Sequence, residues 1–131
     1  MKFLVCYDET TEAKKALKVA REHAKTWQAE LDVVNAITRI EPLKHSKVKK
    51  MEEKMEGEVK EILSGDDPPY EVQLLLTDLT SGEQLVKFAE DQKMDQIFLG
   101  IVKKSKVGKL LFGSTVQYVI LHAPCPVVTV Q

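Results

Sequence analysis

The chain has few cysteines, no surplus of charge and no long apolar run, and each lack removes a class of function. Cys6 and Cys125 are the only two cysteines among 131 residues, and both sit inside apolar runs without CxxC or Cys/His spacing. That pattern predicts a buried, reduced pair in place of a disulfide framework or a metal site, and with it a cytoplasmic protein. Nineteen Lys and Arg stand against twenty Asp and Glu, so no overall field recruits nucleic acid or an anionic membrane surface. The opening "MKFLVCYDE" reaches acidic residues after one short apolar run, and no later window approaches the length of a membrane span. No repeat at a solenoid period and no low-complexity segment divides the chain, so one domain over residues 1–131 is expected.

What is present is an alternation of short apolar runs with amphipathic stretches. "KFLVCY" reads as a strand, and Ala13, Ala16, Leu17, Ala20, Ala24 and Trp27 then recur at helical spacing. Asp8, Thr10 and Thr11 are candidate caps for that helix, and Glu12 suits its positive end. "ELDVVNAI" is a second strand and "TRIEPLKHS" a loop. Met51, Met55, Val59 and Ile62 make one stripe of a second, heavily charged helix, which "SGDDPPY" must end. "YEVQLLLTD", "MDQIFLG" and "PVVTVQ" are further strands, while "SGEQLVKFAEDQ" and "STVQYVILHA" are further helices. Crossovers at this spacing build a parallel sheet covered on both faces. The expected fold is therefore α/β, a five-stranded, doubly wound, flavodoxin-like sheet of order 3-2-1-4-5.

In such a sheet ligands gather beyond the carboxyl ends of the strands, where the strand order reverses. Two loops meet that condition, one holding Asp8 and the other the stretch "LGIVKKSKVGKLLFGSTVQ", residues 99–117. The second stretch carries three of the six glycines and four lysines, Lys103, Lys104, Lys106 and Lys109. Gly113 and Ser114 open a helix there, so the amides of Ser114, Thr115 and Val116 suit a phosphate group. The same pattern also fits a capped helix behind a solvated basic loop. "KSKVGKLL" lacks the leading glycine and the Ser/Thr of a Walker A loop. Glu83 and Asp95 read as a helix-start and a strand-start residue, His122 as a cation near a helix end, and His23 and His45 have no catalytic partner at motif spacing.

The strand ending in Asp8, the "AxxALxxA" helix, "MDQIFLG" and "LLFGSTVQYVILHAPCPVVTV" together resemble the universal stress protein family over essentially the whole chain. Its nucleotide-binding members carry Gly, two residues, Gly, nine residues, then Gly and Ser/Thr. Gly100, Gly113 and Ser114 keep that spacing, but Lys103 stands at the second glycine. The resemblance implies the adenine nucleotide alpha hydrolase-like fold and an ATP-binding regulator of the stress response, with Mg²⁺ accompanying the nucleotide. It places Asp8 beside the nucleotide, Ala36 against adenine through its backbone, and Gly100, Lys103, Gly113, Ser114 and Thr115 around the phosphates. It also implies a homodimer joined through the C-terminal strand. Lys103 opens an alternative, a homodimeric interaction module that has lost nucleotide binding because a side chain fills the space a glycine leaves. No general base is placed by a motif, so the expected turnover is absent or slow, at most a slow ATP hydrolysis.

Overall fold

In the computed structural model, which describes residues 1–65, 68–102, 104–106 and 109–131, strands and helices alternate along the chain. They run β1 (Lys2–Cys6), α1 (Thr11–Trp27), β2 (Glu30–Thr38), α2 (His45–Ile62), β3 (Tyr70–Thr77), α3 (Ser81–Asp91) and β4 (Gln96–Gly100). After these come β5 (Lys104–Lys106), β6 (Lys109–Leu111), α4 (Ser114–His122) and β7 (Val127–Val130). The main sheet has the order β3-β2-β1-β4-β7 with every pairing parallel. Counted over these five strands, that is the 3-2-1-4-5 order expected from the sequence. The antiparallel pair β5–β6, inside the stretch read as a loop, was not foreseen. Three-residue strands, KSK and KLL, are too short to carry a period-two pattern that would announce them.

Strand alternation divides the core into two layers. Phe3, Val5 and Tyr7 of β1 point to the side covered by α1 and α2, where they meet Leu17, Ala20, Met55 and Val59. Leu4 and Cys6 point to the other side, against Leu85, Val86 and Ala89 of α3 and Val119 of α4. Met55 and Val59 are buried as expected, whereas Met51 and Ile62 of the same stripe are only partly covered. The Tyr7 hydroxyl crosses the α2 interface to donate to Glu58 Oε1 at 2.5 Å.

Local chemistry sets where the helices begin. Thr10, not Asp8, is the N-cap of α1: its Oγ1 accepts from the Ala13 N–H at 3.1 Å. Thr80 caps α3 in a reciprocal box with Glu83, whose Oε1 accepts from the Thr80 N–H at 3.3 Å. That is the helix-start role assigned to Glu83. Asp95 likewise precedes β4 and accepts from the Lys2 N–H at 2.8 Å, tying two strand starts together.

Among the described glycines, the one with least room for a side chain lies where β4 ends. A Cβ on Gly100 would stand 2.5 Å from the Glu12 carbonyl carbon and 2.6 Å from the Ala13 nitrogen, so β4 abuts the first turn of α1 backbone against backbone. Neither neighbour is a flexible side chain that can move aside. Gly113 differs, since a Cβ there would meet nothing within 4 Å. Gly100→Ala is therefore expected to cost about 1–3 kcal/mol in denaturant unfolding, the usual penalty for overpacking. Gly113→Ala should change stability by less.

At the opposite end of the sheet Asp32 is half-buried and in register with Glu71 of β3. Burial first, then Glu71, raise its carboxyl above the usual aspartate range; Lys2 opposes them, and Glu30 adds to the rise. A carboxyl whose folded pKa exceeds its unfolded one loses stability as pH climbs through that window. Asp32→Asn should thus raise the melting temperature at neutral pH, and the gain should shrink on acidification below the ordinary aspartate pKa. Equal gains at both pH values would refute this account.

Candidate functional site

Beyond the carboxyl ends of β1, β2 and β4 lies a cleft of about 200 Å³. It stands where the order reverses, because β1 is followed by β2 on one side while β4 lies on the other. Its walls are mainly apolar, from Cys6, Val34, Ala36, Leu85, Leu99 and Val116. The polar part comes from Asp8, Asn35, Ser81 and Thr115, with Gly100 and Tyr7 completing the lining.

Asp8 sits in the turn between β1 and α1. Its Oδ1 accepts from the Thr10 N–H at 3.2 Å and from Thr10 Oγ1 at 2.6 Å, and Thr10 in turn caps α1. Between them Glu9 holds a φ of 67°, a left-handed conformation uncommon for a residue with a side chain. Lys54 of α2 lies 3.4 Å from Glu9 Oε2. The Asp8 carboxylate is thereby oriented by one oxygen, and Oδ2 makes no hydrogen bond among the described residues.

The β2 wall presents backbone. The β1–β2 ladder ends at Cys6 and Val34, with one further bond from the Tyr7 N–H to the Val34 oxygen at 2.8 Å. Backbone groups of successive residues face alternate edges of a strand, so the N–H and C=O of Ala36 turn to the same side as those of Val34. On that side β1 no longer runs beside them. Ala36 therefore offers a donor and an acceptor next to each other at an apolar cleft.

The third wall is the start of α4. Gly113 is its N-cap with φ −62° and ψ 160° and supplies no side-chain cap, in contrast to Thr10 and Thr80. Among the described residues no side chain caps the first amides of α4, which suits them to another acceptor. Thr115 lines the cleft, whereas Gly113 and Ser114 are exposed just ahead of it. The structure thus brings together Asp8, Ala36, Gly100 and Thr115. Lys103 lies outside the described residues, as does Gly108.

Cys6 forms part of the apolar lining, its thiol pushed up to about 12 by burial, then by the Asp8 charge and Cys125. It is a protonated, unreactive group at neutral pH. Cys125 is also free but only half-buried, so the expected buried pair holds for Cys6 alone. His122 stacks on Tyr118 with ring centres 4.2 Å apart, and His23 stands edge-on to Phe98 at 5.2 Å, both as packing residues. Sequence reasoning missed Ser81, Asn35 and Leu85, and named Val116 only for its amide and not for the apolar side chain that lines the cleft. Ser81 directly follows the Thr80 cap, and Leu85 lies one helical turn further, so locating the α3 start would have found both.

The universal stress protein family model matches residues 1–131. A curated relative, "Universal stress protein in QAH/OAS sulfhydrylase 3'region" of Thermus aquaticus, is 33% identical over 133 residues, covering 98% of this chain and 96% of that protein. The solved universal stress protein of Archaeoglobus fulgidus superposes with a TM-score of 0.85 at 27% identity, covering 100% of this chain and 98% of that one. A second solved structure, of the universal stress protein from Archaeoglobus fulgidus in complex with dAMP, gives a TM-score of 0.78 at 21% identity, covering 100% and 98% of the two chains. With the strand order and the whole-length match together, the chain belongs to the universal stress protein family.

Proposed function

We propose that this protein binds an adenine nucleotide in the cleft between β1, β2 and β4 and acts as a nucleotide-linked regulator in the stress response, with ATP, accompanied by Mg²⁺, as the ligand. The observation that carries this is the Ala36 backbone at the end of an apolar slot. Adenine presents an amino donor beside a ring acceptor, which complements a C=O next to an N–H, whereas guanine presents the opposite order on that edge. Val34, Leu85, Leu99 and Val116 provide the apolar contact for a planar base. Asp8 Oδ2 suits a ribose hydroxyl, and the α4 amides with Thr115 suit the phosphates. The dAMP complex of the Archaeoglobus relative supports the same ligand class. Cys6 is held protonated and the Asp8 carboxylate is assigned to the ribose with no catalytic motif around it, so any hydrolysis in the cleft is expected to be slow.

The assignment is tested by calorimetric titration of the purified protein with AMP, ADP and ATP, with and without Mg²⁺. Gly113 sits in open space, so Gly113→Val should leave a folded domain by circular dichroism and weaken ATP binding by crowding the phosphates. A folded variant of parental affinity would remove the phosphates from the α4 start. Lys103 separates the main reading from that of an interaction module. If its ammonium meets phosphate, Lys103→Ala should lose roughly 1–3 kcal/mol of binding. If it blocks the site, Lys103→Gly should bind better than the parent.

A homodimer through β7 is part of the same proposal. β7 is the terminal strand of the sheet and leaves one row of backbone groups unpaired by any described strand. Leu121 is 77% exposed and Ile120 is 45% exposed on the preceding helix, while the half-buried Val128 of β7 packs on the opposite, α1-covered face of the sheet. Antiparallel pairing of two copies of β7 about a two-fold axis would cover both features. Light scattering at micromolar concentration should therefore give twice the chain mass. Val128→Lys should shift that mass to the monomer by setting like charges against each other. A parent that stays monomeric at high concentration excludes this interface.

A further inference from the structure

Gln84 is the buried polar residue of the core among the described residues, 3% exposed on α3 between the cleft residues Ser81 and Leu85. Its Nε2 donates to the Ile37 carbonyl at 2.9 Å and to the Leu79 carbonyl at 3.0 Å. Ile37 directly follows Ala36 at the end of β2, and Leu79 lies just before Thr80 and Ser81 at the start of α3. One amide group therefore joins two walls of the cleft. Thr38 Oγ1 adds a bond to the same Leu79 carbonyl at 2.9 Å, so the link has two members, of which Gln84 is the buried one.

The other half of the amide is costly. Gln84 Oε1 is buried and has no hydrogen-bond partner among the described residues. A buried acceptor left unpaired is destabilising, and an apolar side chain of similar size would remove that penalty. What such a replacement cannot supply is the pair of donations across the cleft. The Nε2 and Oε1 positions cannot be exchanged to relieve the strain either, because an oxygen would then face two carbonyl oxygens.

Resting on the assignment of the cleft to an adenine nucleotide, we propose that Gln84 is a positioning residue that holds the end of β2 against the start of α3 and so sets the separation the base requires. It touches no ligand itself. It acts through Ala36, whose N–H and C=O read the base edge, and through the first turn of α3, which carries Ser81 and Leu85.

The test uses the whole protein with Gln84→Leu and Gln84→Met, which keep approximate size and remove both donors and the unpaired oxygen. Folding is followed by thermal melting, and AMP and GMP are titrated separately. Both variants should melt near the parent temperature, bind AMP about fivefold more weakly, and show a smaller ratio of AMP to GMP affinity. Amide hydrogen exchange in the ligand-free variants should accelerate in residues 36–38 and 79–81 together. A purely structural role would lower the melting temperature without moving the AMP/GMP ratio of the folded protein. A folded variant with parental AMP affinity and parental base preference overturns the role of Gln84 and leaves the assignment of the cleft standing. A parent that binds neither nucleotide overturns that assignment itself. Exchange in the parent tests the link without any substitution, since AMP should protect both segments together; protection of one alone overturns it.

Discussion

The arrangement of the cleft depends on the contact between Gly100 and the first turn of α1. Backbone meets backbone there at a separation that leaves no room for a Cβ, so β4 can run alongside β1 to its last residue while α1 crosses over it. Without that contact, the β1–α1 turn and the segment after β4 would stand apart and the crevice would lose one side. The same glycine thus has two positions at once, in the lining of the cleft and in the packing of α1. Its lack of a side chain is required by the second, whatever the ligand.

The three helix starts around the cleft are satisfied in different ways, and the differences divide their roles. α1 and α3 close their first turns with Thr10 and Thr80, which uses up side-chain acceptors and makes those turns rigid supports. α4 begins at Gly113 with no side-chain cap among the described residues. Asp8 is attached to the rigid side through Thr10, so its position is set before any ligand arrives. The strained Glu9 between them is the conformational cost of turning from β1 into α1 in so few residues. Below the site, Tyr7 and Glu58 link the β1 end to α2, and Gln84 links the β2 end to α3.

Much of the fold was legible because strand and helix periods differ and because each helix carries one apolar stripe. Ala13, Leu17, Ala20 and Ala24 name the buried face of α1 without ambiguity. Asp8, Ala36, Gly100 and Thr115, named from the sequence, line one cleft; Asp8 and Gly100 were reached by strand-end logic as well as by the family resemblance, Ala36 by the resemblance alone. Asp8, Thr10 and Thr11 all have acceptor oxygens and are equivalent cap candidates by sequence, and only the geometry selects Thr10. The unforeseen contributions were Ser81, Leu85 and Gln84 from α3. Ser81 and Leu85 follow from the position of the α3 start, whereas nothing near Gln84 in the chain marks its role, because its partner Ile37 on β2 lies 47 residues away.

By itself the sequence determined the elements, their alternation and hence a parallel sheet, because hydrophobic period and crossover length are local properties of the chain. It also determined the family, through spacing and similarity along the whole length. Tertiary structure alone decided that Gly100 is needed for the α1 contact, that the Ala36 backbone is left open where β1 ends, and that Gln84 spans two walls. Each of these is a relation between segments distant in the chain, set by which strands lie side by side and how far each one extends, and no local pattern of residues encodes such a distance.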